Sequence, residues 1–148
     1  MSWIDRQFAE FEDRVACHEA GRLWTYSDFL AEVDRSTELL APAVGSKPVV
    51  IAIHMQGTLL ALAAMLAVAR LKQVALPLSP QATLAERLEQ QGIAGACFVL
   101  TEQGLDSTQL SRASSKWFGE LAKREHAGLV LFSSGTSGEP KGMLHDLD

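Results

Sequence analysis

Gly128-Leu129-Val130-Leu131-Phe132-Ser133-Ser134-Gly135-Thr136-Ser137-Gly138-Glu139-Pro140-Lys141-Gly142 is the stretch on which the reading of this chain turns. The first five residues form an apolar run that predicts a buried strand, the last one before the loop it feeds. Ser133 to Gly142 combine three glycines, four hydroxyls, one proline and one lysine. Glycine lets a backbone approach a ligand closely, and free N–H groups in such a loop form a concavity for anions. The hydroxyls add donors, and Lys141 supplies a compact positive charge suited to phosphate. The local expectation is a polyphosphate-binding loop at the end of a strand.

The loop is not the common nucleotide-binding P-loop, Gly-x-x-x-x-Gly-Lys-Ser/Thr. Counted from Gly135, the second glycine falls on Pro140, and the magnesium-binding hydroxyl falls on Gly142. A plain Gly/Ser linker is recognised by composition, not by ordered positions such as Pro140-Lys141-Gly142 behind a hydrophobic run.

Working outward, the chain alternates strand and helix signals. Trp3 to Phe11 has helical apolar spacing, with Ser2 as a candidate cap. Val15–Glu19 and Arg22–Thr25 flank Ala20-Gly21, which predicts a hairpin. Ser27 is the expected cap of a helix from Asp28 to about Leu40, stopped by Pro42. Val49 to Ile53 is a β-branched run of the kind buried on both faces of a sheet. Thr58 to Leu71 is apolar all round and predicts a helix packed on that sheet. Val74 to Leu78 predicts the next strand, Thr83 to Gln91 a helix ended by Gly92, and Gly95 to Leu100 a further strand. Thr101 to Lys123 reads as short helices or an irregular connection. The fold class expected is α/β: a mostly parallel sheet flanked by helices, with a small amino-terminal β-hairpin. Ligands of such sheets bind beyond the carboxyl ends of the strands, where the loop lies.

Residues Leu131 to Gly142 resemble, without a gap, the signature loop of the adenylate-forming (AMP-binding) superfamily of acyl-CoA synthetases, adenylation domains and luciferases. Leu23-Trp24-Thr25-Tyr26-Ser27-Asp28-Phe29-Leu30 is similar to the family's entry into its first long helix. Val49 to Ile53, Leu59 to Leu71 and Val74-Ala75-Leu76-Pro77-Leu78-Ser79-Pro80 resemble its strand, helix and strand ending in a proline-rich turn. Two places depart from the pattern. Leu71-Lys72-Gln73-Val74 stands where the family usually reads Leu-Lys-Ala-Gly, and Met143-Leu144-His145-Asp146 replaces a stretch with a hydroxyl before the histidine.

The resemblance implies an ATP-dependent ligase that forms acyl-AMP with release of pyrophosphate and passes the acyl group to a thiol of CoA or a carrier protein. It implies that Thr136, Ser137, Gly138 and Lys141 contact phosphate, with Ser133 and Ser134 in support. Gly135 and Gly142 would serve backbone geometry, and Lys141 would be the catalytic side chain. Mg2+ would bridge the phosphates, its protein ligand lying outside these residues. Members run to several hundred residues, whereas Asp148 follows Gly142 by six. Residues 1–148 are therefore expected to be the amino-terminal portion of the large domain, inactive alone. A stand-alone phosphate-binding module and a non-catalytic interaction domain are the alternatives. The Leu144-His145-Asp146 variant favours an acyl-CoA or acyl-carrier ligase over a peptide-synthetase module.

Bulk properties narrow the partners. The 148 residues carry a net charge of −5 with 47% hydrophobic content. The thirteen basic residues are scattered, which disfavours nucleic acid. Leu59 to Ala69 is the longest apolar stretch and, at eleven residues, is too short for a membrane span. Cys17 and Cys97 lack metal or disulfide spacing and read as buried free thiols of a cytoplasmic protein. Among the histidines, His145 is expected to act within a helix after the loop. His18 and His54 are expected in or beside strands, and His126 exposed. Asp146 pairs with no other carboxylate as an acid/base couple.

Overall fold

The computed structural model describes residues 3–111, 116–134 and 140–147. Along the chain the elements are α1 (Trp3–Phe11), β1 (Val15–Glu19), β2 (Arg22–Thr25), α2 (Tyr26–Leu40), β3 (Val50–Ile53), α3 (Thr58–Arg70) and β4 (Val74–Pro77). They continue as α4 (Leu84–Ala94), β5 (Ala96–Thr101), β6 (Gly104–Ser107), α5 (Lys116–Arg124), β7 (Gly128–Ser134) and β8 (Pro140–Asp146).

β1 and β2 form the expected antiparallel hairpin, turned by Ala20 and Gly21, both at positive φ. The main sheet runs β6-β5-β3-β4-β7-β8. Its four inner strands are parallel, and an antiparallel strand closes each edge. Every residue of β3 is buried. Successive side chains of a strand point to opposite faces, so its four residues feed two cores. Ile51 and Ile53 join Val33 and Leu40 of α2 and Ala63, Ala67 and Val68 of α3. Val50 and Ala52 join Val74, Leu76, Ala94 of α4 and Leu121 of α5. The mostly parallel sheet flanked by helices stands as expected.

Local chemistry fixes the helix ends, in two cases at other residues than expected. Thr25, not Ser27, caps α2: its side chain accepts from the Asp28 backbone N–H while Asp28 accepts from the Thr25 N–H. Ser27 lies inside the helix because this capping box satisfies two end donors at once. Those hydrogen bonds from Thr25, with the Arg22 charge adding to them, hold the Asp28 carboxyl below its usual range. Thr83 and Glu86 repeat the device at α4. That helix passes through Gly92 and ends at Gly95, whose φ of 65° and ψ of 45° form the left-handed cap.

The first departure from the family pattern is repaired by side-chain chemistry. Lys72 itself takes the left-handed conformation, at φ 56°. Gln73 is buried, accepting from the Val49 N–H at 2.9 Å and donating to the carbonyls of Leu71 and Gly45. It ties the entry of β3 to that of β4. Arg70 clamps the helices, giving hydrogen bonds to Asp5 of α1 and Asp34 of α2. Burial opposes the Arg70 charge, but these two carboxylates outweigh it and hold its pKa above the ordinary value.

The stretch 101–123 is more regular than expected. It holds β6, folded back on β5 through Gly104 at φ 139°, and most of α5. The strand expected at Gly128–Phe132 extends to Ser134 and is not the last. The residues after the loop form β8 where a helix was expected, because β7 offers an open edge to pair with. His145 therefore sits on a strand, opposite Leu129.

Candidate functional site

The site is framed by the β7–β8 hairpin. β7 is parallel to β4, so it delivers Ser133 and Ser134 to the edge of the sheet where β3, β4 and β5 also end. Antiparallel pairing with β8 sets Ser133 directly opposite Lys141, Ser134 opposite Pro140 and Phe132 opposite Gly142. Two ends of the signature stretch are thus joined at the mouth of the segment between them. Gly135, Thr136, Ser137 and Gly138 lie outside the described residues. Lys141 is exposed and Ser133 half-buried. A side chain at Gly142 would press on Phe132, since a Cβ there would lie 3.1 Å from the tip of that ring. A strand, not a helix, follows the loop, so no helix dipole acts from its far side. Anion binding there would rest on loop donors and Lys141.

Neighbouring groups at the same edge are partly committed to the fold. Gly57 offers α3 no side-chain cap. Glu19 of the hairpin supplies one from a distance, accepting from the Thr58 N–H at 2.7 Å and the Leu59 N–H at 3.3 Å. The first helix N-terminus at this edge is therefore already filled by a carboxylate of the chain itself. No sequence signal links residues 39 positions apart in this way. At the end of β3, His54 Nδ1 lies 3.0 Å from Arg87 Nη1, within reach of a hydrogen bond from the guanidinium. His18 lies in β1 opposite Leu23.

At the opposite end of the hairpin, His126 is not a free surface group. Its Nδ1 lies 2.9 Å from Asp146 Oδ1, and Arg124 Nη1 lies 3.5 Å from the other oxygen. This cluster fastens the end of β8 to the turn before β7. It lies away from the loop, since Asp146 is opposite Gly128 and Lys141 opposite Ser133. Cys17 and Cys97 are only half-buried. Among the described residues no group of three or more His, Cys, Asp or Glu could hold a metal ion. Nor is any described helix long and apolar enough to cross a membrane.

Solved structures share this fold. One is the N-terminal subdomain of NpsA from Klebsiella oxytoca, in complex with 3-hydroxyanthranilyl-AMSN: 22% identity, TM-score 0.71, covering 95% of this chain and 39% of that one. Another is the o-succinylbenzoate coenzyme A synthetase (MenE) of Bacillus subtilis, in complex with AMP: 24% identity, TM-score 0.70, covering 97% and 42%. A curated relative, the hybrid PKS-NRPS synthetase xenE of Xenoacremonium sinensis, is 29% identical over a 160-position alignment that covers 95% of this chain and 4% of that protein. The chain spans about two fifths of those solved relatives and a small part of the synthetase. Residues 4–147 match the family described as AMP-binding enzyme, and the chain belongs to that family of adenylate-forming enzymes.

Proposed function

We propose that residues 1–148 are the amino-terminal portion of an adenylate-forming large domain, and that the whole protein activates a carboxylic acid with ATP. The observation that carries this reading is the register of the hairpin, which sets Ser133 and Lys141 face to face at the mouth of the signature loop. In the reaction a carboxylate oxygen attacks the α-phosphorus of ATP. The bond from that phosphorus to the bridging oxygen breaks, and pyrophosphate leaves with the electron pair. Charge grows on the β- and γ-phosphoryl oxygens as it does so. The Lys141 ammonium and the donors of Ser133, Ser134, Gly135, Thr136, Ser137 and Gly138 would stabilise that charge. Gly142 would keep the backbone beside Phe132 free of a side chain. Magnesium, held from elsewhere, would neutralise phosphate charge. A thiol of CoA or of a carrier protein would then take the acyl group, releasing AMP. The solved relatives bound to AMP and to an acyl-AMSN support this chemistry. The proposed setting is cytoplasmic.

The test is carboxylate-dependent exchange of labelled pyrophosphate into ATP. The whole enzyme is expected to catalyse it, and residues 1–148 alone are not, because the groups that position the acid are proposed to lie in the rest of the large domain. Lys141→Ala in the whole enzyme should slow turnover by roughly 10²–10³-fold, the range for losing one charge-stabilising donor, without lowering its Tm. Undiminished exchange in a folded Lys141→Ala enzyme would overturn the assignment.

A further inference from the structure

Among the described residues two arginines, Arg70 and Arg87, are half-buried, and the fold treats them differently. Arg70 meets the carboxylates of Asp5 and Asp34. Arg87 meets no carboxylate among the described residues. Its Nη1 lies 3.0 Å from His54 Nδ1, and an imidazole brings no negative charge in either protonation state. Arg87 Nε is sealed from solvent without a hydrogen-bond partner, and so is His54 Nε2. Burial penalises an unpaired charge, so a half-buried cation calls for an anion. Glu86, beside it on α4, is committed to Thr83, and Glu102, past the end of β5, to the Gln56 N–H.

The position is one where open α/β sheets take ligands. His54 follows β3 directly, its N–H bonded to the Leu100 carbonyl of β5, and Arg87 lies near the start of α4. The helix after β3 packs into one core, and the helix after β4 into the other. Connections that part to opposite faces leave a crevice beyond the carboxyl ends of the strands. We infer that Arg87, beside His54, forms an oxyanion subsite in this crevice, taking a carboxylate or a phosphate through Nε and Nη2. With Nη1 turned to His54, those two nitrogens are the remaining fork of the guanidinium, and its spacing matches two oxygens of one such group. The ligand enters from the Nη2 side, since Nε itself is sealed. The subsite uses none of the signature-loop residues, and it does not depend on the catalytic reading.

The test titrates the chain with sodium phosphate and with sodium acetate, against sodium chloride at equal ionic strength. NMR follows the Arg87 Nε–H and the His54 ring. A saturating shift with phosphate or acetate, absent with chloride, is expected, and the tighter of the two anions tells a phosphoryl ligand from a carboxylate. Arg87→Lys keeps the charge without the fork and should weaken binding by roughly tenfold, the loss of one hydrogen bond to a charged group. Arg87→Met should abolish the His54 response and leave the Tm in chloride no lower, because Arg87 has no ion pair to lose. Lys141→Ala should leave the response intact, which separates the subsite from the loop. An equal response to chloride, binding that survives Arg87→Met, or binding lost with Lys141→Ala would overturn the inference. So would a Tm lowered by Arg87→Met with no anion response in the unaltered chain, since Arg87 would then serve the fold alone.

Discussion

The centre of the sheet and its β7–β8 end are built from the same apolar residue types but reach opposite conditions. In β3 and β4, Ile51, Ala52, Val74 and Leu76 are sealed between helices on both sides. In the hairpin, Val130 is buried while its neighbour Leu131 is exposed, and Met143 opposite is exposed too. The closed region owes its form to the chain's own packing. The open region frames the signature loop. Stability and the proposed chemistry thus fall at different ends of one sheet.

Substitutions at the two ends should differ most where burial differs most. Ile51→Ala removes a side chain sealed in the α2–α3 core and is expected to cost about 2–5 kcal/mol, read from urea unfolding. A loss below that range would mean the centre can collapse around the gap and is less closed than described. Gly128 is the joint between the regions. An added Cβ there would meet Leu121 at 2.9 Å, Val74 at 3.0 Å and Leu144 at 3.2 Å. Gly128→Ala should therefore cost about 1–3 kcal/mol by overpacking, and a neutral result would show the hairpin moving independently of β4.

Acid should loosen the closed region at its helix starts. Glu86, like Asp28, is held below its usual range, by hydrogen bonds from Thr83. A lowered carboxyl favours the folded state above its unfolded pKa, and that contribution fades as pH falls through the lower folded value. Amide exchange in the first turns of α2 and α4 is expected to quicken below about pH 4. Unchanged exchange there would remove the capping boxes from the account. The smallest effect is expected at the open end. Leu131→Thr should change the stability of residues 1–148 by no more than about 0.5 kcal/mol, because the side chain is already exposed. A larger loss would place Leu131 in a core.

Much of this division is legible in the chain itself. The continuous run at Val49–Ile53 and the apolar stretch at 59–69 admit few structures besides a buried strand and a packed helix. The pattern Thr25-Tyr26-Ser27-Asp28 contains the capping box as written, and Ser27 competes with it because a single hydroxyl also caps helices. Gly92 and Gly95 are equivalent by composition. The helix continues through the first because Ala94 then packs on the sheet, and only Gly95 adopts the left-handed turn.

The sequence by itself determined the α/β plan, the family and the ordered residues of the loop, because these reside in runs and motifs a few residues long. Tertiary structure alone decided that Met143-Leu144-His145-Asp146 is a strand, that Glu19 caps α3 and that His126 meets Asp146. Each of those depends on which edge, helix end or charge lies nearby in space. Local propensity is worth at most about a kilocalorie per residue, whereas an open strand edge or an unpaired helix end offers several hydrogen bonds together. Position in the fold therefore outweighs the local pattern at these places.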